Sequence, residues 1–180
     1  QGDTFRGFYK VQSGVVMVYR LLEDSQRQIS GFYTKGDFFG LSASGHYQDT
    51  AVTITTSNIM FLTMHDVQNS PQLQKELFAV TCKQLNAAQT LITTLTKKTA
   101  SQKIATFLVM LAEVQEHAGS DFVLRLPMSR QDIADYLGLS IETVSRRLTA
   151  LKARGIIELP DRNSVHVVNF TKLSKLAGHH

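Results

Sequence analysis

Five polar side chains within six positions, Glu142, Thr143, Ser145, Arg146 and Arg147, concentrate the chemistry of this chain. A guanidinium can donate two parallel hydrogen bonds to guanine O6 and N7, a carboxylate can accept from a cytosine amino group, and a hydroxyl can approach thymine. Arg146, Glu142 and Ser145 have the types for those three base-reading roles. Arg130, Ser140, Thr143, Arg147 and Lys152 suit phosphate oxygens instead, contacts that position a protein on a duplex without reading its sequence. Such groups need a rigid carrier narrow enough for the major groove.

The neighbouring residues supply that carrier. Ser129 can cap a helix with Asp132 three positions on, and Ile133, Ala134 and Leu137 form its buried stripe. Gly138 takes a sharp turn, and Ser140 caps a second helix with apolar Ile141, Val144, Leu148 and Leu151 at helical spacing. Gly155 is placed to stop that helix. The β-branched runs Ile156–Leu159 and Val165–Val168 flank Pro160–Ser164, which predicts a hairpin. Two helices, a tight turn and a hairpin make a winged helix-turn-helix, whose second helix presents its N-terminal half to the major groove.

Upstream, a helix capped by Ser101 is expected to bury Ile104, Phe107, Leu108 and Leu111, followed by a strand at Val123–Leu126. Asn169 or Thr171 can cap a last short helix. These elements assign residues 100–178 to the DNA-binding domain. Residues 70–99 predict one long helix, with Ser70 as cap and Pro71 at the first helical position. Within it Phe78, Thr81, Leu85, Ala88, Ile92 and Leu95 form an a/d seam, as expected of a dimer interface. Leu73, Leu77, Val80 and Leu91 supply a second apolar face for packing on the same chain.

Residues 1–69 are short strands between glycine turns: Phe8–Val11, Gly14–Leu22, Gln28–Tyr33, Ala51–Thr56 and Ile59–Met64. That spacing predicts an antiparallel β-sandwich of jelly-roll type, with Thr53 and Thr55 on a solvated face. The class is therefore α+β.

Charge is placed unevenly. Residues 1–96 hold seven basic and seven acidic residues, whereas residues 97–180 hold twelve against eight, so the net charge of +4 lies beside the helix-turn-helix. The single cysteine, Cys82, excludes an internal disulfide or a cysteine-held cluster within this sequence, and as a small hydrophobe it is expected to be covered by its helix's neighbours. No apolar run reaches about 18 residues and no signal peptide is visible, an expectation of a cytoplasmic protein without membrane contact. The opening Gln1-Gly2-Asp3 is expected to follow a missing N-terminal segment, and His179-His180 reads as a tag remnant.

Sandwich, long helix and winged helix, in that order, resemble the CRP/FNR family of transcription regulators over nearly the whole chain. The matching runs are Lys35-Gly36-Asp37-Phe38-Phe39-Gly40-Leu41 and Ser129 to Arg146, the latter similar to the FNR/FixK branch. The resemblance implies a homodimeric activator that contacts RNA polymerase and reads a TTGAT-N4-ATCAA-type palindrome in double-stranded DNA through Glu142, Ser145 and Arg146.

Two departures bear on what it senses. Cyclic-AMP-binding relatives carry Glu after the glycine of the turn and an Arg-Ser pair before the next strand; here Leu41 and Asp49-Thr50 stand there. A carboxylate at Asp49 repels a phosphate, so cyclic nucleotide sensing is not expected. The sandwich cysteine of cluster-bearing relatives falls near Met60, so no iron–sulfur cofactor is expected in this chain either. His46 and His65 are only formal haem ligands. No Ser-His-Asp spacing, metal-ligand cluster or phosphate-binding glycine loop points to an enzyme. The alternative is a regulator gated by a small molecule in the β-roll.

Overall fold

The structure is a computed structural model that describes residues 1–23, 25–117 and 119–178. The expected turn at Glu23-Asp24-Ser25, the expected helix end at His117-Ala118-Gly119 and the tag-like His179-His180 each include residues outside that set. The chain divides into two compact units, Gln1–Thr90 and Leu91–His180.

The first unit pairs β1 (Phe8–Ser13) with β4 (Phe38–Phe39) and β6 (Asn58–Leu62) in one antiparallel sheet. A second antiparallel sheet joins β2 (Val16–Leu21) to β3 (Arg27–Tyr33) and β5 (Thr50–Thr53). The inward residues of these strands make the core. Phe8, Phe38, Leu62 and Val67 form one buried cluster, and Val11, Val16, Val18 and Phe39 a second. Val52 of β5 is exposed like its threonine neighbours, so the expected inside-outside alternation does not hold on that edge strand.

The expected strand over Ile59–Met64 ends at Leu62, because Thr63 caps α1 (Met64–Gln68). Thr63 and Asp66 bond each other reciprocally, and those hydrogen bonds hold the Asp66 carboxyl below the usual range. Helix α2 (Pro71–Lys97) follows, the Ser70 hydroxyl accepting from the Leu73 amide. Leu73, Leu77 and Val80 pack on the Phe8 cluster, the use expected of the second apolar face. Lys10 ties β1 to Glu76 of α2 at 2.5 Å. Cys82, expected to be covered, is exposed: it sits off the face that packs on the roll.

The second unit contains α3 (Ala100–Val114), α4 (Arg130–Leu137), α5 (Ile141–Ala153), α6 (Phe170–Ala177) and a three-stranded antiparallel sheet. The cap of α3 is Thr99 rather than Ser101, because Gln102 lies three positions on and completes a capping box with it. The expected stripe Ile104, Phe107, Leu108 and Leu111 is buried. Asn169 caps α6. In the wing, β8 (Ile157–Glu158) and β7 (Phe122–Arg125) flank β9 (Ser164–Val167). His166 bridges the sheet, Nε2 at 2.5 Å from Asp121 and Nδ1 at 3.0 Å from Glu158. Two carboxylate partners raise its pKa and favour the imidazolium, the form that donates from both nitrogens.

Candidate nucleic-acid interface

Ser129 caps α4 reciprocally with Asp132, and Ser140 accepts from the Thr143 amide to start α5. Each cap satisfies orphan donors and is worth about 1 kcal/mol. Between them Gly138 adopts φ 58°, the left-handed region, and its amide bonds back to Ala134. Lys103 of α3 donates to the Leu137 carbonyl at 3.1 Å, closing the C-terminus of α4 from outside the motif.

The turn yields a direct prediction. A Cβ at residue 138 meets only Leu95 Cδ2, at 3.7 Å, an ordinary contact. Gly138→Ala therefore costs backbone strain alone, about 1–2 kcal/mol. Thermal unfolding of this variant should begin several degrees earlier; an unchanged midpoint rules out a strained turn.

Ile133, Ala134 and Leu137 are buried, as are Val144, Leu148 and Leu151 of α5, so two apolar stripes lock the helix pair. Ile141, expected in that stripe, is 37% exposed, because the first turn projects beyond the core. The opposite face of α5 is polar. Glu142, Ser145 and Arg146 are all exposed, and their i, i+3 and i+4 spacing sets them side by side. The Glu142 amide and the Ser140 hydroxyl, with Arg146 nearby, hold the Glu142 carboxyl below its ordinary range. It is thus an ionised acceptor, and Arg146 beside it an invariant donor.

The positions expected to meet phosphates differ among themselves. Arg147 and Lys152 are exposed, Ser140 is exposed but engaged as the cap, and Thr143 is half-buried with its hydroxyl 3.0 Å from that of Ser140. Arg130, at the first position of α4, is half-buried. Its Nη1 is sealed from solvent without a hydrogen-bond partner among the described residues, and desolvation lowers its pKa. Sequence alone placed Arg130 near the helix start but gave no sign of this desolvation. Lys103 carries no local sequence signal for its role, since its partner is 34 residues away.

The chain matches two family descriptions: a Crp-like helix-turn-helix domain over residues 102–176, and a cyclic nucleotide-binding domain over residues 1–70. It is 39% identical over 176 residues to the nitrogen fixation regulation protein FixK of Rhizobium meliloti, covering 98% of this chain and 81% of that protein. The chain belongs to the CRP/FNR family of transcription regulators. Within this family it is FixK-like, with a DNA-binding helix-turn-helix, and its homologues are regulators rather than enzymes. The fumarate and nitrate reduction regulatory protein of Escherichia coli is 32% identical over 185 residues, covering 99% of this chain and 74% of that one. The solved structure of FixK2 from Bradyrhizobium japonicum superposes with a TM-score of 0.85 at 32% identity, covering 97% of this chain and 90% of that chain. No helix among the described residues is long and apolar enough to cross a membrane.

Proposed function

We propose that this CRP/FNR regulator acts as a cytoplasmic homodimer that reads a TTGAT-N4-ATCAA-type palindrome and contacts RNA polymerase. The observation that carries the reading is the exposed Glu142-Ser145-Arg146 row in the N-terminal half of α5, whose start is capped by Ser140. In this reading Arg146 pairs with guanine, Glu142 accepts from cytosine and Ser145 approaches thymine. Arg130, Ser140, Thr143, Arg147 and Lys152 fix the register on phosphates. Residues 1–69 form the β-roll, 70–99 the dimer helix and 100–178 the DNA-binding domain.

Dimerisation is supported by α2. Phe78, Leu85 and Ile92, one heptad apart, are 74%, 59% and 62% exposed, an apolar line that the single chain leaves in water. Thr81 and Ala88 are exposed between them, while Leu95 is half-buried. Two half-sites one helical turn apart match such a pair. Fluorescence anisotropy at physiological salt tests the whole reading: the consensus palindrome should bind far tighter than a scrambled duplex. Equal affinity for the two overturns it.

The β-roll supports independence from cyclic nucleotide. Asp49 and Leu41 line its cavity where phosphate partners would be needed. Calorimetry with cyclic AMP should give no heat of binding and no change in DNA affinity; micromolar affinity coupled to DNA binding refutes this. A second reading, gating by another small molecule, is favoured by the size of that cavity, about 650 Å³, within the range of ligand pockets.

A further inference from the structure

We propose that His166 is a positioning residue for DNA reading: as an imidazolium it clamps the wing behind α5, and DNA affinity falls when it loses its proton. The coupling to DNA rests on the regulator reading given above.

The geometry of the cluster calls for a cation. His166 stands on the central strand β9, and a carboxylate from each side meets one ring nitrogen. Asp121, just before β7, lies 2.5 Å from Nε2, and Glu158 of β8 lies 3.0 Å from Nδ1. A neutral imidazole donates from one nitrogen and turns a lone pair toward the other acceptor, whereas the imidazolium donates to both. Loss of the proton therefore breaks one of the two bonds and leaves two carboxylates across β9 without a cation between them. The ring is the most shielded of the three side chains, 26% exposed against 62% and 63% for its partners.

The surrounding charges act in the same direction. Val123 pairs with His166 and Arg125 with Ser164, so Arg125 shares the His166 face of the sheet, as Glu158 does from β8. The strand β9 itself carries no other charged residue. The hairpin turn brings Asp161 and Arg162, and Asp161 is held ionised by its bond to Ser164 and by further groups that include Arg125. His117, after α3, and Phe170 of α6 stack or tilt on Phe122, which points to the opposite face of β7. The bond to Asp121 first, then that to Glu158, raise the pKa of His166 above a histidine's ordinary 6.5. A raised folded pKa gives stability that is complete below the unfolded value and is lost as pH rises through the folded one.

The cluster lies on the path that fixes the reading helix. At its exit α5 runs straight into the sheet: the Ile156 amide donates to the Leu151 carbonyl, and Ile156 and Ile157, just before Glu158, are buried. On the other side Gln115, the C-cap of α3, accepts from the Arg125 amide at 3.0 Å and donates to its carbonyl at 2.8 Å. His166 thus links the exit of α5, through β9 and β7, to α3, while Lys103 of α3 holds the turn before α5. The rear anchor runs through a histidine, the side chain that changes charge near neutral pH. Loosening it lets α5 shift against α3, and the Glu142-Ser145-Arg146 row loses its alignment with the base edges.

Proton NMR of the full chain tests the clamp directly. His166 should titrate at a higher pH than a histidine in an unfolded peptide, and Asp121→Asn should lower its midpoint. The thermal stability of the parent should fall toward that of His166→Gln between about pH 6 and about pH 8.5, since only the parent has a clamp to lose. Over the same range, at constant ionic strength, the parent's affinity for the palindrome should drop about fivefold or more, while His166→Gln starts weak and changes less than about twofold. His166→Arg, a cation throughout, should restore affinity with a flat pH profile, which a merely structural role does not predict. Parallel pH profiles of the parent and His166→Gln, in unfolding or in DNA affinity, overturn the proposal. So does a His166 midpoint at or below that of the unfolded peptide, a result that decides even where a variant fails to fold. Loss of preference for the palindrome over scrambled DNA at every pH strikes the DNA reading instead, and the NMR and unfolding series still judge the clamp.

Discussion

A Leu85→Asp protein is expected to be a monomer that binds the palindrome about 100-fold or more weakly than the parent. Leu85 is the middle residue of the exposed Phe78–Leu85–Ile92 line, so in a dimer it sits at the centre of the seam. There the substitution brings two carboxylates together in a site that loses water on association, and like charges at an apolar contact are costly. Joining two binding modules raises overall affinity by about 10²–10⁴-fold, and a monomer forfeits that gain. Because Leu85 is exposed in the single chain, the same change should leave the fold intact. Sedimentation equilibrium, circular dichroism and anisotropy separate these effects. A variant that remains dimeric, or a monomer with parental affinity, eliminates α2 as the seam.

What was legible in the sequence was what local rules decide. Both caps of the helix-turn-helix, the left-handed Gly138 and the stripes at Val144, Leu148 and Leu151 depend on residues within four positions of one another. The same locality explains the misses. Thr99 was passed over for Ser101 because both residues can cap, and only the Gln102 reciprocal bond chooses between them. The two-residue β4 lies inside a glycine-punctuated motif and exists through pairing with Tyr9 and Lys10. Asp49 was read from position alone as hostile to phosphate. Its companions Tyr9, Tyr33 and Phe61 come from three strands, β1, β3 and β6, so the cavity they share required the fold. Cys82 is exposed against expectation because periodicity says which residues share a face, not which face is covered.

Arg146→Ala is expected to cost about 1–3 kcal/mol at the consensus palindrome and to relax preference at a single base pair of each half-site. The guanidinium is exposed beside the ionised Glu142, which can steady it without consuming all its donors. Arg146→Lys should recover little of the loss, since an ammonium keeps the charge but not the planar fork that meets O6 and N7 together. Arg147→Ala is the internal comparison. It should weaken consensus and scrambled DNA alike and reduce the salt slope by about 1, the signature of one lost phosphate contact. Anisotropy titrations over a series of salt concentrations and single-base-pair variants measure both quantities. If Arg146→Ala lowers affinity uniformly while Arg147→Ala changes base preference, the two arginines have exchanged roles and the recognition face of α5 lies one residue further round. If neither changes preference, α5 is not the reading helix, because no other residue of its exposed N-terminal half has the bidentate geometry that guanine requires.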